Sequence, residues 1–358
     1  MLERVCRVIS KERKNSRTEY LSSLKEKNLV LYGAGGIGYV TSIILENKGC
    51  KVFCFIDDDK AKQGTIVNGL KVVSLHSIGC DAGFLILICV PKFMDIYNRL
   101  INLGYKDVQY FPVAMYEKGH YNVSLIKNNL EKIREVYGLL ADDISALAFC
   151  NILKHRVTLD FSYLDSIISS KQYFPNEIFS LGDNECFVDG GAYNGETIAD
   201  FINATNNRYK HIYAFEADKQ NFEQLIAGTG YVKGECLKLF NSGLYSQTKE
   251  TGFNSLGNSG SFISETGTER ISLVKLDDVV GECKPTYIKL DIEGAETEAL
   301  YGMKNTITAC HPKLAISIYH KAADLWELPI LIHTLAPSYK IYIRHYNDDL
   351  NETVCYAI

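Results

Sequence analysis

The chain has 358 residues, 46% hydrophobic and 23% charged, with a formal net charge of −5. This is an ordinary globular composition whose length suits two domains better than one, and the acidic balance argues against a nucleic-acid partner. The longest apolar runs, such as residues 84–90, are strand-length and far too short to span a bilayer.

Residues 1–14 mix charges through the apolar positions and lack a signal-peptide core, so a cytoplasmic protein with no membrane span is expected. The 11 cysteines are scattered and form no C-x-x-C pair; they read as small core residues of a reducing compartment, and no metal is expected.

In chain order, residues 1–26 read as a helical lead-in. A first α/β domain follows over 27–115. Leu29-Val-Leu-Tyr32 is a strand, Gly33-Ala-Gly-Gly-Ile-Gly38 a G-x-G-x-x-G turn, and residues 39–47 a helix. Residues 51–56 form the next strand, ending on Asp57-Asp-Asp59, with further strands over 84–90 and 108–111. Strands alternating with helical segments imply a parallel sheet with right-handed crossovers. Residues 116–171 carry apolar positions at helical spacing, with helices over 123–140 and 144–153, and read as a helical connector.

The last domain, 172–358, opens with Gln172-Tyr-Phe-Pro175. Strands are expected near 186–189, 212–216, 236–241, 286–291, 313–319, 339–345 and 353–357, with a short extra strand over 270–276. Residues 251–268, rich in Gly, Ser, Asn and Thr, read as a mobile loop over the site rather than an element. Only a short polar turn separates the final two strands, so no crossover helix fits and they must run antiparallel.

Two stretches carry the chemistry. Phe187-Val-Asp-Gly-Gly-Ala-Tyr-Asn-Gly-Glu-Thr197 is a strand, a glycine turn and a helix start, which brings backbone N–H groups against a cofactor. Tyr213-Ala-Phe-Glu216 ends a second strand in an acid, about twenty residues after the last glycine, as a ribose-binding carboxylate would. With the closing hairpin, these read as a methyltransferase using S-adenosylmethionine (SAM). The expected fold is α/β: a Rossmann-like class I methyltransferase sheet ending in an antiparallel hairpin, preceded by a smaller Rossmann-like domain and a helical connector.

Residues 172–358 resemble the FkbM-type methyltransferases, bacterial enzymes that mostly O-methylate sugars and polyketides. The resemblance rests on the glycine-turn motif, on Phe215-Glu-Ala-Asp218, on Ile288-Lys-Leu-Asp-Ile-Glu-Gly-Ala-Glu296 with its continuation, and on Ala315-Ile-Ser-Ile-Tyr-His-Lys321. Glu352-Thr-Val-Cys-Tyr-Ala357 completes it. It implies that Asp189, Gly190, Gly191, Ala192 and Gly195 line the methionine and ribose end of SAM, with glycine at 191 because a side chain would collide with the cofactor. Glu216, beside Ala217, would accept the ribose hydroxyls; Asn241 and Ser242 would flank the adenine, and Tyr173 would close over SAM or simply pack. On the acceptor side, His320 or Glu293 is the expected base, with Asp291 orienting SAM or the acceptor and Lys289 pairing with one of the acids. Glu296 and Glu298 read as complements to a helix dipole.

In the first domain, Gly33, Gly35, Gly38 and Asp57 match a dinucleotide fingerprint. The run from Phe55 to Val73 resembles the nucleotide-sugar-binding domain of bacterial sugar acyltransferases, which implies a diphosphate at the glycine turn and a ribose at Asp57; a Rossmann domain kept for packing or dimerisation is the alternative. The expected activity is O-methylation of a sugar hydroxyl on a nucleotide-sugar or glycan intermediate, with no nucleic acid involved and a homo-oligomer left open. The rivals are a non-catalytic nucleotide-sensing scaffold and an NAD-dependent oxidoreductase working through the first domain.

Overall fold

The computed structural model describes every residue except 12–15, 92, 114–117, 233–234, 255–261, 264–266, 268 and 282–283. The chain divides into two compact units. The first comprises Met1–Leu130, Cys150–Ser166 and Asn347–Asn351; the second comprises Glu131–Phe149, Ile167–Tyr346 and Glu352–Ile358. The divide therefore falls within the helix Asp143–Thr158 and splits the segment read as one connector. The expected domain end at residue 115 lies outside the described residues.

The first unit begins with helices Leu2–Lys11 and Ser16–Leu24 and holds a six-stranded sheet. Its strands are β1 (Asn28–Tyr32), β2 (Lys51–Ile56), β3 (Ile66–Val67), β4 (Leu70–Val73), β5 (Phe84–Ile88) and β6 (Val108–Tyr110), in the order β3-β4-β2-β1-β5-β6. All pairs are parallel except β3 with β4. That hairpin was not expected as strands; Asn68 and Gly69, both at positive φ, form its tight turn. Val30, Tyr32, Ile56, Ile86, Ile88 and Leu100 lie at the core of this unit.

The second unit is built on seven strands: β7 (Cys186–Gly190), β8 (His211–Phe215), β9 (Leu237–Phe240), β14 (Tyr287–Leu290), β15 (Lys313–Ser317), β16 (Ile341–His345) and β17 (Thr353–Ala357). Their order is β16-β17-β15-β14-β7-β8-β9. The strand that breaks the parallel pattern is β17, inserted between β15 and β16 and antiparallel to both. Central strands β7 and β14 are buried along their whole length, which is why they read as unbroken apolar runs. Phe187 stacks on Phe201 and Tyr287, with ring centroids 4.5 and 5.1 Å apart, and fixes the helix Glu196–Ala204 against the sheet.

The described parts of the segment read as a mobile loop include strands. Lys249–Asn254 (β11) pairs antiparallel with Glu269–Val274 (β13) and with Phe262–Ile263 (β12), and Gly243–Leu244 (β10) completes a separate four-stranded sheet. The polar composition misled because Phe253, Ile271 and Leu273 supply the buried face of this sheet from two stretches distant in sequence. Residues 255–261, 264–266 and 268 of that segment lie outside the described residues. Among the described residues, no helix is long and apolar enough to cross a membrane, and the cysteines are free.

Candidate active site

A cleft of about 320 Å³ opens in the second unit, where the strands β7, β8 and β14 end. This is the edge where open parallel sheets bind ligands. Gly191, Ala192, Glu216, Ala217, Lys289, Asp291 and Glu293 line it, as does Tyr173. All eight were singled out from the sequence.

The glycine turn leaves β7 with Gly191 at φ +78°, and the N–H groups of Gly191 and Ala192 both donate to the carbonyl of Phe215 at 3.0 Å. A Cβ on Gly191 would stand 1.9 Å from the Asp291 carbonyl oxygen. Glycine is therefore required by the neighbouring strand end itself, before any cofactor is considered. Gly195 caps the following helix from a left-handed conformation and does not line the cleft.

Glu216 sits just past β8 and is almost fully buried. One carboxylate oxygen accepts the Tyr193 N–H at 3.0 Å and the other the Asp218 N–H at 2.9 Å. Burial pushes its carboxyl up, and these two N–H groups and Lys289 oppose that. Each oxygen keeps acceptor capacity toward the cleft, which suits a vicinal diol.

Asp189 and Lys289 depart from expectation. Asp189 does not line the cleft; it is fully buried and ion-paired with Lys289 at 3.0 Å. The Lys289 ammonium also donates to the carbonyls of Gly191 at 2.7 Å and Gly190 at 3.3 Å. Burial opposes its charge, but Asp189, Asp291 and Glu216 outweigh burial and raise its pKa. A lysine held this way stays charged and fixes the glycine turn, so a catalytic part for it is set aside.

Asn241 and Ser242 are also displaced from their expected place. The Asn241 amide donates to the carbonyls of Glu216 at 2.9 Å and Ala217 at 3.3 Å, and Ser242 is buried. Gly243, Leu244 and Phe253 line that end of the cleft instead. Their small and apolar side chains gave no motif in the sequence, and Phe253 arrives on the unexpected strand β11.

On the opposite wall, Asp291 accepts the hydroxyl of Tyr173 at 2.9 Å and that of Tyr319 at 3.0 Å. Tyr173 itself sits at φ +64° and donates its N–H to the Tyr356 hydroxyl at 3.0 Å. Burial works to raise the Asp291 carboxyl, but His320, Lys289 and the Tyr173 hydroxyl hold it below the usual carboxylate range. Glu293, at φ +53°, turns its side chain to the cleft with about a quarter of it exposed.

His320 does not reach the cleft. Its side chain is 1% exposed, with Nδ1 2.8 Å from Glu296 and Nε2 3.4 Å from Asp291 and 3.6 Å from Glu293. Burial disfavours its charge, yet Glu296, Glu293 and Asp291 together raise its pKa well above the ordinary histidine value. An imidazole shut from the cleft is out of reach of an acceptor hydroxyl, so of the two expected bases Glu293 is the one that lines the cleft. Glu296 is the residue that sequence reasoning undervalued. It begins the helix Glu296–Gly302, but it is buried and reaches back to His320 and the Ile292 N–H at 3.0 Å. Glu298 instead accepts the Ser246 hydroxyl.

In the first unit, Gly33, Gly35 and Gly38 form the expected turn after β1. A Cβ on Gly38 would stand 1.9 Å from the Gly33 carbonyl oxygen, so the third glycine serves strand–helix packing. Asp57 turns back onto this turn: its oxygens accept the Ala34 N–H at 2.8 Å, the Asp59 N–H at 2.9 Å and Lys62 at 3.1 Å. It braces the turn rather than projecting from it. A cavity of about 410 Å³ in this unit is lined elsewhere, by Phe93, Tyr97, Tyr110 and Phe161 among others.

Residues 189–345 match the family model described as methyltransferase FkbM domain, and residues 25–110 match one described as C2185-like, N-terminal. The second match lends no support to the likeness with sugar acyltransferases. The crystal structure of methyltransferase FkbM from Methylobacillus flagellatus KT is similar over 99% of this chain and 98% of that one, with a TM-score of 0.79 and 22% identity. At that identity the likeness speaks for the fold. An rRNA methylase from Streptococcus thermophilus matches 49% of this chain and 87% of its own (TM-score 0.33, 14% identity). Fibrillarin from Aeropyrum pernix matches 50% and 69% (TM-score 0.31, 11% identity). Neither adds to the assignment. No curated protein matches the chain.

Proposed function

Taking residues 189–345 as the methyltransferase FkbM domain they match, we propose that this chain methylates a hydroxyl of a sugar or glycan intermediate, with SAM as the donor. The observation that carries the reading is Glu216, a nearly buried carboxylate that two backbone N–H groups fix at the cleft edge beside the glycine turn. A site of that kind fits the two hydroxyls of a ribose. When bound, SAM supplies an electrophilic methyl group on a sulfonium, so the protein's tasks are alignment and proton removal.

Glu293 takes the proton of the acceptor hydroxyl, and Asp291 fixes the Tyr173 and Tyr319 hydroxyls that shape the wall beside it. The cleft is acidic: Glu196, Glu216, Asp291, Glu293 and Glu352 line it, and its lysine is already paired with Asp189. That balance favours presenting an uncharged polyhydroxyl end of the acceptor, with any nucleotide phosphate held away from the cleft.

The test is calorimetric titration of the full chain with SAM, followed by transfer of labelled methyl from SAM to a panel of nucleotide-sugars and glycan fragments. One SAM per chain, label in an alkali-stable ether, and loss of turnover but not of SAM binding in Glu293→Gln are expected. A chain that does not bind SAM ends the reading.

A further inference from the structure

We propose that Asp291, Glu296 and His320 hold one divalent transition-metal ion just behind the cleft wall, where it ties the ends of β14 and β15 to the first turn of the helix Glu296–Gly302. The inference is independent of the methyl-transfer reading.

One donor atom from each of the three residues lies within 4.8 Å of the others. Bonds of about 2.1–2.4 Å place opposite ligands of one ion about 4.2–4.8 Å apart and adjacent ones closer, so the set fits a single ion. The two acids meet different nitrogens of the ring, with His320 Nε2 3.4 Å from Asp291 Oδ1 and Nδ1 2.8 Å from Glu296 Oε1, so a single ion takes only one of these nitrogens.

The independent observation is unmet polar capacity. His320 and Glu296 are each 1% exposed at the side chain; among the described residues Glu296 Oε2 accepts no hydrogen bond, and the His320 nitrogens meet their carboxylates as ion pairs outside hydrogen-bond geometry. Buried polar atoms left this way call for a partner. Charge points the same way, since Asp291, Glu293 and Glu296 surround one imidazole while Lys289 is committed to Asp189. An imidazole with two carboxylates suits ions such as Mn²⁺ or Zn²⁺ better than Ca²⁺ or Mg²⁺, which prefer oxygen alone. The Tyr173 and Tyr319 hydroxyls on Asp291 then act as outer partners that orient a ligand.

The probe is Mn²⁺, chosen because cysteine thiolates compete for it poorly. The full chain, stripped with chelator and free of SAM, is titrated with Mn²⁺ while the paramagnetic resonance of the free ion is followed. One Mn²⁺ per chain is expected, with the dissociation constant raised at least tenfold in Asp291→Asn and His320→Gln. Asp291 keeps part of its side chain exposed, so Asp291→Asn decides the matter if His320→Gln does not fold. No stoichiometric uptake, or uptake unchanged in Asp291→Asn, overturns the proposal and leaves an internal ion-pair cluster. Calorimetry with SAM on the same sample separates the two readings: SAM binding without Mn²⁺ uptake removes the ion alone, and uptake without SAM binding removes the cofactor alone.

Discussion

Lys289 and Asp189 face each other in register on the adjacent parallel strands β14 and β7, joined at 3.0 Å with neither side chain more than 2% exposed. Removing one partner of such a pair strands a buried charge, which costs about 3–5 kcal/mol. Lys289→Met is expected to lower the unfolding free energy of the chain by that amount in urea denaturation. Lys289→Met combined with Asp189→Leu should recover much of it, and a double variant no more stable than the single one would show that the pair is not the source.

Gly191→Ala tests why glycine stands in the turn. The added Cβ meets the Asp291 carbonyl at 1.9 Å, so the cost falls on the protein without any ligand. Thermal unfolding of the SAM-free variant should show a loss of at least about 2 kcal/mol, in the range of an imposed clash with a strained backbone. Unchanged stability with weakened SAM binding would restore the direct collision with the cofactor.

Glu216→Gln keeps the shape of the side chain but removes its charge and half its accepting capacity. Hydrogen bonds to a charged group contribute about 1.5–3 kcal/mol, so SAM affinity should fall by roughly ten- to a hundredfold. Calorimetry on the variant, with its unfolding midpoint as a control for folding, reads the effect.

Glu185 gives a pH dependence away from the cleft. Burial raises its carboxyl, but the Gly182 N–H, the Thr286 hydroxyl and Lys313 at 3.1 Å outweigh burial, and the pKa is lowered from 4.5. A depressed acid contributes stability that is present above its unfolded value and lost as pH falls through the folded value. Unfolding free energy should therefore decline below about pH 4.5, and the decline should be shallower in Glu185→Gln. Equal acid slopes in the two proteins would remove Glu185 as a contributor.

Much of this fold could be read from residue order. The glycine turn of Asp189–Gly195, the acid at Glu216 and the short turn between the last strands all depend on near neighbours, and each lies where local chemistry put it. The strands β7, β8, β14 and β15 were foreseen to within about two residues because buried parallel strands are continuously apolar, and β16 and β17 because a short polar turn parts two apolar runs. Strands β11 and β12 were missed because their polar surroundings hide a pairing made only in the fold, β11 on Glu269–Val274 and β12 on β11.

The sequence by itself determined the α/β class, the reversed final strand, the glycine turn and the carboxylates near it, since periodicity and turn chemistry act over a few residues. The direction of each side chain was decided by tertiary structure alone. Asp189 and Lys289 close on each other from strands a hundred residues apart, giving to the fold what the motif offered to the cofactor. His320 and Glu296 meet in the same way, with an imidazole expected to take a proton buried among acids that raise its pKa. Such pairings set charge and access through distance and burial, and neither quantity is written in the order of the residues.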